Sequence, residues 1–153
     1  MKRILTIITT VAIMLIAMSA TAFAAANEIT VTIDGERVVF DGQQPIIQDG
    51  RTLVPIRGVF EKLGFDVEWI PDEKDDLLHF VFLTTEDITI SVGIGASRFS
   101  IWNNNNDAER IELDVPARII NGRTMLPLRA LIEAIGHEID WNGATQTVII
   151  TTN

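Results

Sequence analysis

The side chains best suited to chemistry form two arginine–glutamate pairs. Arg57 precedes Glu61 by four positions, and Arg129 precedes Glu133 by the same spacing. Residues four apart share one face of a helix, so each guanidinium group would lie beside its carboxylate. The base-first order is unfavourable for the pair and for the helix dipole, so local helix energetics do not explain it. We therefore expect a tertiary role, in which the guanidinium group binds carbonyl groups of the preceding hairpin or lies on a tryptophan ring.

The same side chains also allow two functional alternatives. Two carboxylates at a suitable separation hydrolyse glycosidic bonds, so Glu61 and Glu133 define a hydrolase as a distant alternative. The arginines could instead bind a ligand. His79 and His137 have no cysteine to complete a metal site with them. We therefore predict no catalytic residue, no metal ligand and no cofactor.

A polar segment near residue 100 is the best candidate for a binding site. It consists of Trp102 and four asparagines, Asn103, Asn104, Asn105 and Asn106. An aromatic ring stacks on the C–H face of a sugar while neighbouring amides bind its hydroxyl groups, so this segment predicts a glycan or partner site. The alternative is a buried strand tryptophan followed by a hairpin tip.

Two acidic turns have the composition of calcium-binding loops. They are Pro71–Asp76 and Asn103–Asp107. Calcium prefers carboxylate and carbonyl oxygen ligands, but neither segment has the spacing of an EF-hand. We expect both to be solvated loops.

The arginine–glutamate pairs belong to a phrase that the chain contains twice. Asp49–Trp69 aligns without a gap with Asn121–Trp141, 72 positions later, and eight of these 21 positions are identical. The identical residues are Gly50, Arg51, Thr52, Pro55, Arg57, Glu61, Gly64 and Trp69 in the first copy, and Gly122, Arg123, Thr124, Pro127, Arg129, Glu133, Gly136 and Trp141 in the second. Because a unit below about 40 residues is rarely stable alone, we predict that each copy supplies half of one core.

Each copy predicts a hairpin that leads directly into a helix. The turn dipeptides Asp49-Gly50 and Asn121-Gly122 tolerate positive φ and favour a tight turn between strands. Proline fixes φ near the helical value and disfavours helix in the residue before it. We therefore predict Pro55 and Pro127 as the first helical residues.

An apolar stripe follows each proline. Its members recur at helical spacing and are Ile56, Val59, Phe60 and Leu63 in one copy and Leu128, Leu131, Ile132 and Ile135 in the other. Gly64 and Gly136 then fit the left-handed position that ends a helix. These patterns predict two helices of about ten residues.

Alternating polarity predicts the strands. Besides the strand ending at each repeated tryptophan, they are Ile29–Ile33, Arg37–Phe40, Leu77–Leu83, Ile88–Val92, Arg98–Trp102 and Thr147–Thr152. The fold class is α+β: mostly antiparallel β-sheet with two short helices, built from two pseudo-repeats at about residues 29–83 and 87–152.

The first residues predict export. Lys2 and Arg3 precede an apolar run, Ile4–Met18, which ends in small residues. This is the pattern of a signal peptide, residues 1–24, with cleavage after Ala24 or as late as Ala26; a retained membrane anchor is the alternative. The mature domain, residues 27–153, then has 12 − 2 = 10 basic and 21 acidic residues, a net charge of −11. Such a charge repels nucleic acid and anionic lipid.

The doubled phrase resembles the copper amine oxidase N-terminal domain family. The residues that carry the resemblance are G-R-T-[L/M]-[V/L]-P-[I/L]-R, then Glu, Gly and Trp at fixed spacing, and the likeness spans about Ile29 to Thr152. The resemblance implies a stalk-type domain of exported Gram-positive bacterial proteins, an appendage that oxidase catalysis does not require. It does not imply copper, because the oxidase site needs three histidines and a tyrosine-derived quinone, and the chain has two histidines and no tyrosine.

Together these patterns predict a secreted, non-catalytic structural or interaction module at the bacterial cell surface. A carbohydrate or cell-wall binding module that uses Trp102 and the asparagines is the main alternative. We expect an unidentified protein or glycan of the cell envelope as partner, with no nucleic acid and no copper. Contact with the membrane is expected only through the signal peptide before cleavage.

Overall fold

The computed structural model describes residues 28–71, 79–105 and 107–153. Its strands are β1 (Thr30–Ile33), β2 (Glu36–Arg37), β3 (Ile46–Gln48), β4 (Arg51–Pro55), β5 (Asp66–Pro71), β6 (His79–Thr84), β7 (Ile88–Gly93), β8 (Arg98–Asn103), β9 (Ala108–Glu112), β10 (Arg118–Ile120), β11 (Arg123–Pro127), β12 (Glu138–Asn142) and β13 (Thr147–Thr151). Its helices are α1 (Ile56–Lys62) and α2 (Arg129–Ala134). The predicted signal peptide, residues 72–78 and Asn106 lie outside the described residues; residues 72–78 include most of the predicted turn Pro71–Asp76 and the start of the strand predicted at Leu77–Leu83.

The strands form three sheets. Sheet A has the order β12-β13-β1-β2, sheet B the order β10-β11-β4-β3, and sheet C the order β5-β6-β7-β8-β9. The strand pairs are antiparallel except β1 with β13, which run parallel from Thr30 opposite Thr147 to Ile33 opposite Ile150. The predicted fold class, a mostly antiparallel sheet structure with two short helices, is confirmed.

Tight turns close the two hairpins of sheet B, as predicted. Asp49 and Gly50 have φ values of 52° and 72°, and Asn121 and Gly122 have values of 49° and 73°. Positive φ at both central residues is the type I′ conformation, whose twist matches that of the flanking strands. These turns join β3 to β4 and β10 to β11.

Sheet B brings the two copies of the phrase together at its centre. β4 and β11 pair antiparallel, with Val54 opposite Leu126. Leu53 lies opposite Pro127, and Pro55 lies opposite Met125. Because Leu126 is the counterpart of Val54 in the second copy, exchanging the copies reproduces the same pairs. The register at this contact is therefore that of a local two-fold relation.

The predicted helix starts are wrong at both prolines. Pro55 is the last residue of β4, with φ −60° and ψ 116°, and α1 begins at Ile56. Pro127 is the last residue of β11, and α2 begins only at Arg129. Proline fixes φ but leaves ψ free, so pairing across sheet B holds both prolines in strands. The helices are consequently shorter than expected, with 7 and 6 residues.

The helix ends agree with the sequence. Gly64 and Gly136 have φ values of 86° and 82°. The N–H of Phe65 donates to the Phe60 carbonyl oxygen at 2.9 Å, and the N–H of His137 donates to that of Ile132 at 3.1 Å. This is the 6→1 bond of a Schellman cap, which needs a left-handed residue before the donor.

One large hydrophobic cluster contains both helices. The stripe residues Phe60 and Ile132 are fully buried, while Leu63 and Ile135 are partly buried against the same cluster. Strand residues from sheets A, B and C complete it, among them Ile150, Leu126 and Leu83. The predicted inward stripes are confirmed, and residues of both copies share this interior.

Two strands differ from expectation. The strand predicted at Arg37–Phe40 is only β2, Glu36–Arg37; the Val38 N–H still donates to the Val31 carbonyl oxygen of β1 at 2.8 Å, but the strand does not continue beyond it. β9, Ala108–Glu112, has no counterpart among the predicted strands: its sequence AERIE is mostly charged, and it forms by pairing with β8. In the described part of the chain, no helix is long and apolar enough to cross a membrane.

Candidate binding grooves

Two surface grooves contain most of the repeated polar residues. The Trp141 groove has a volume of about 560 Å³ and lies between hairpin β3–β4 and the segment that includes α2, β12 and β13. The Trp69 groove has a volume of about 340 Å³ and lies between hairpin β10–β11 and the segment that includes α1, β5 and β6. Volumes of about 300–1,000 Å³ are typical of small-ligand sites.

Each groove combines residues from both copies of the phrase. Arg51 and Thr52 of the first copy face Arg129 and Trp141 of the second across the Trp141 groove. The Trp69 groove reverses these roles, with second-copy hairpin residues and first-copy helix and strand residues. The cause is the pairing of β4 with β11, which places the hairpin of one copy beside the helix of the other.

The two grooves have equivalent linings. Nine of the ten residues that line the Trp69 groove have a counterpart 72 positions away in the lining of the Trp141 groove. The tenth, Val81, pairs with Trp69 as Val148 pairs with Trp141. Six of the eight identical positions are included, namely Gly50, Arg51, Thr52, Pro55, Arg57 and Trp69 with Gly122, Arg123, Thr124, Pro127, Arg129 and Trp141.

Every arginine in the grooves has a carboxylate beside it. In the Trp141 groove, Arg51 Nε lies 2.8 Å from Asp114 Oδ2, and Arg129 Nη1 lies 3.3 Å from Glu133 Oε1.

The Trp69 groove has the same two kinds of pair. Arg57 Nη1 lies 3.0 Å from Glu61 Oε1, and Arg123 Nη2 lies 3.8 Å from Asp41 Oδ2. The side chains of both helix pairs are more than half exposed, so these are surface ion pairs. Each groove arginine is thus neutralised locally, and Asp140 adds a further negative charge to the Trp141 groove.

The helix arginines were expected to bind carbonyl groups of the preceding hairpin, but the observed carbonyl partner lies elsewhere. Arg129 Nη1 also donates to the carbonyl oxygen of Ile139, at 3.1 Å, so it ties α2 to the following strand and not to the preceding hairpin. The hairpin arginine Arg123 donates through Nε to the Asp41 carbonyl oxygen at 3.2 Å. Arg57 and Arg129 therefore each pair with a glutamate, and among the described residues only Arg129 of these two also binds a carbonyl oxygen.

Apolar side chains on the groove walls are exposed. Trp69 and Trp141 are 44% and 40% exposed, and Ile47 and Ile119 are 55% and 46% exposed. The His79 ring supports Trp69, with ring centroids 4.7 Å apart and planes inclined by 34°. Sequence reasoning assigned both tryptophans to the structural motif and missed their exposure. The available signal for a surface role was that tryptophan occupies this position in both copies.

The glutamates proposed for hydrolysis do not share a groove. Glu133 lines the Trp141 groove, whereas Glu61 lines neither groove. Each carboxylate accepts a hydrogen bond from the arginine one helical turn before it. Glycoside hydrolysis needs two carboxylates on opposite sides of one bond, which this arrangement does not provide.

In the asparagine segment, the side chains of Asn103 and Asn104 make hydrogen bonds within the protein. Trp102 is half-buried in β8, next to a shallow cavity of about 380 Å³. Asn103 Oδ1 accepts the backbone N–H groups of Asn105 and Asp107 at 3.0 and 3.3 Å, and Asn104 Nδ2 donates to Asp87 Oδ1 at 2.7 Å. A glycan site at this segment stays a prediction.

The two histidines lie on different elements and have different surroundings. His79 is in β6 against Trp69, and its Nδ1 is buried without a hydrogen-bond partner among the described residues. His137 follows α2, and its Nδ1 accepts the N–H of Asn153 at 3.3 Å. Among residues 28–71, 79–105 and 107–153, no group of three or more His, Asp or Glu side chains is arranged to hold a metal ion.

The walls of the two grooves carry exposed rings and paired charged groups, which are suited to contact with a ligand. Comparison with family models identifies the class of domain. Residues 32–150 match the model described as copper amine oxidase N-terminal domain, which is more than half of the chain, so the chain belongs to this family. This domain is a non-catalytic part of copper amine oxidases. Comparisons with curated proteins and with solved structures gave no significant match.

Proposed function

We propose that the protein is an exported spacer, or stalk, module at the bacterial cell surface, built from two pseudo-repeats. Membership of a family of non-catalytic domains supports this role. The two-fold register between β4 and β11 and the equivalent grooves support the pseudo-repeats. The pairing of β1 with β13 is the observation that carries the mechanical part of the proposal.

A parallel pair of terminal strands resists force along the chain. When the chain is pulled at both ends, β1 and β13 are loaded in opposite directions, so their hydrogen bonds must break together. In an antiparallel hairpin that is pulled open at its ends, the bonds break one after another. A spacer under load benefits from the parallel pair, whose hydrogen bonds break together. The bonds that flank the pair, from Thr30 N–H to the Gln146 carbonyl and from Asp34 N–H to the Ile150 carbonyl, lengthen the resisting segment.

Single-molecule pulling tests this role. The chain has no cysteine, so an introduced cysteine pair defines the pulling points. One protein carries Glu28→Cys and Asn153→Cys, which load β1 against β13. The matched control carries Arg98→Cys and Glu112→Cys, which lie opposite each other at the open end of hairpin β8–β9.

We expect the first geometry to unfold at a force at least about twice that of the control, because bonds in shear share the load. Equal forces in the two geometries would remove the mechanical argument for a spacer.

Export is tested separately. The apolar N-terminal segment supports secretion, and protein recovered from the medium of a producing bacterium should begin at Ala25 or Asn27. Recovery of the chain with Met1 from the membrane fraction would contradict cleavage. The partner is proposed to be a protein or glycan of the envelope, and the acidic charge disfavours nucleic acid.

A further inference from the structure

We propose that the Trp69 and Trp141 grooves are two equivalent binding sites for an uncharged polysaccharide, each accepting a short run of sugar rings. This binding activity goes beyond the spacer role and does not depend on it. Three features support these sites: the residues that the two copies share, the paired arginines of the walls and the exposed aromatic rings.

Fold stability does not account for the repeated surface residues. Exposed ion pairs contribute little to the free energy of folding, yet Arg57 and Glu61 recur as Arg129 and Glu133. An exposed tryptophan also leaves apolar surface in water, and both copies retain one. Groups that are kept on the surface at equivalent places are suited to contact with a ligand.

The balance of charge selects an uncharged ligand. Each groove contains two arginines, and each arginine has a carboxylate within 4.0 Å, while Asp140 adds a further negative charge to the Trp141 groove, so neither groove offers an excess of positive charge to an anion. The net charge of −9 adds a general repulsion of anionic polymers. What the walls offer is paired donors and acceptors, which suit hydroxyl groups.

Donor capacity remains on the helix arginines. Among the described residues, Arg57 donates through Nη1 alone, to Glu61. Arg129 also uses only Nη1, for Glu133 and for the Ile139 carbonyl oxygen. Nε and Nη2 of both arginines thus make no hydrogen bond to the described residues, and we assign them to sugar hydroxyl groups.

The aromatic and aliphatic walls suit the flat face of a pyranose. Trp69 and Trp141 expose ring surface in their grooves, and the edge-strand residues Ile119 and Ile47 expose apolar surface in the facing hairpins. The His79 ring packs against that of Trp69. Sugar C–H groups pack on such surfaces while the hydroxyl groups at the ring edge reach the arginines.

A peptide fits these grooves less well. A peptide that adds a strand needs a long free sheet edge, but β3 and β10, the edges of sheet B, have only three residues each. Pro45 and Pro116 lie shortly before them and shorten the usable edge further.

Calorimetric titration with cellotetraose and tetra-N-acetylchitotetraose tests the proposal, with tetragalacturonic acid as the anionic comparator. We expect two tetrasaccharide molecules per chain, and binding of the anionic tetramer at least about tenfold weaker. Trp69→Ala or Trp141→Ala should reduce the stoichiometry to one. The double variant should lose at least about tenfold in affinity, because exposed aromatic anchors dominate such contacts.

Two further variants keep the test decisive. Trp102→Phe should bind both sugars as the natural chain does, since it leaves both grooves intact. If a tryptophan variant does not fold, Ile47→Ser and Ile119→Ser change exposed wall residues and should each weaken binding to one groove about threefold. The proposal is overturned by unchanged affinity in these groove variants, by loss of binding only in Trp102→Phe, by the absence of binding to either uncharged tetramer, or by binding of peptides instead.

Discussion

At the residue scale, the sequence identified the important side chains but not their surroundings. The eight identical positions include every tryptophan and arginine that the two grooves share, so the repeat marked them correctly. The alternation in DVEW places Trp69 on the same sheet face as Val67, which is buried. Trp69 is nevertheless exposed, because it lies in the groove between α1 and a hairpin from the other copy. Contacts between distant copies are invisible to local periodicity.

Asp34 makes stability depend on pH near the termini. The Thr152 hydroxyl group donates to Oδ2 at 2.7 Å and the Thr152 N–H donates to Oδ1 at 2.9 Å; these bonds lower the pKa of Asp34 below its ordinary value. A lowered folded-state pKa contributes stability above the unfolded pKa, and this contribution is lost as pH falls through the folded pKa.

The corresponding variant is Asp34→Asn, which retains a residue that tolerates the positive φ of 50°. We expect the natural chain to be more stable than the variant near about pH 6 and the difference to shrink as pH falls below the ordinary carboxyl pKa of about 3.9, as urea unfolding would measure. A difference that is constant over this range would contradict the role given to the Asp34 carboxylate.

At the element scale, the sequence predicted correctly the turns and caps that depend on local residues. It failed for elements whose bounds depend on pairing with distant strands. The type I′ turns and the glycine caps depend on φ values that Asn, Asp and Gly adopt easily, and these elements were correct. The start of each helix depends on ψ at Pro55 and Pro127, which sheet B fixes through distant residues. β9 depends on β8 in the same way. Charged side chains concealed it from a pattern based on hydrophobicity.

The cap at the end of α1 gives a local test. Gly64 has φ 86°, and no neighbouring atom lies within 4 Å of the place a Cβ atom would take, so Gly64→Ala introduces backbone strain without a clash. We expect a loss of about 1–2 kcal/mol in the free energy of unfolding. Gly143→Ala is the matched control, because its φ is not in the left-handed region and its nearest neighbour would be Trp141 Nε1 at 3.5 Å. Equal effects of the two substitutions in chemical denaturation would contradict the strain at Gly64.

At the scale of the whole molecule, the two copies form one interior. The largest buried cluster includes Phe60 of the first copy and its counterpart Ile132 of the second, both fully buried. The N-terminal strand β1 lies beside β13 near the C-terminus, so residues distant in sequence close the same sheet. The repeat predicted that the copies share a core. It could not predict the parallel pairing, because β1 precedes the first copy of the phrase.

Hydrogen exchange in two core variants tests the shared interior most directly. Phe60→Ala should cost about 3–5 kcal/mol and Ile132→Ala about 2–5 kcal/mol, because each leaves a cavity in the packed cluster. If both copies belong to one cooperative unit, each variant lowers the protection of the slowest amides in β6 and β13 by the same amount. We predict this equal loss in β6, which follows the first copy, and in β13, which follows the second. Protection lost only in the strand that follows the substituted copy would show two independent halves and contradict the shared interior.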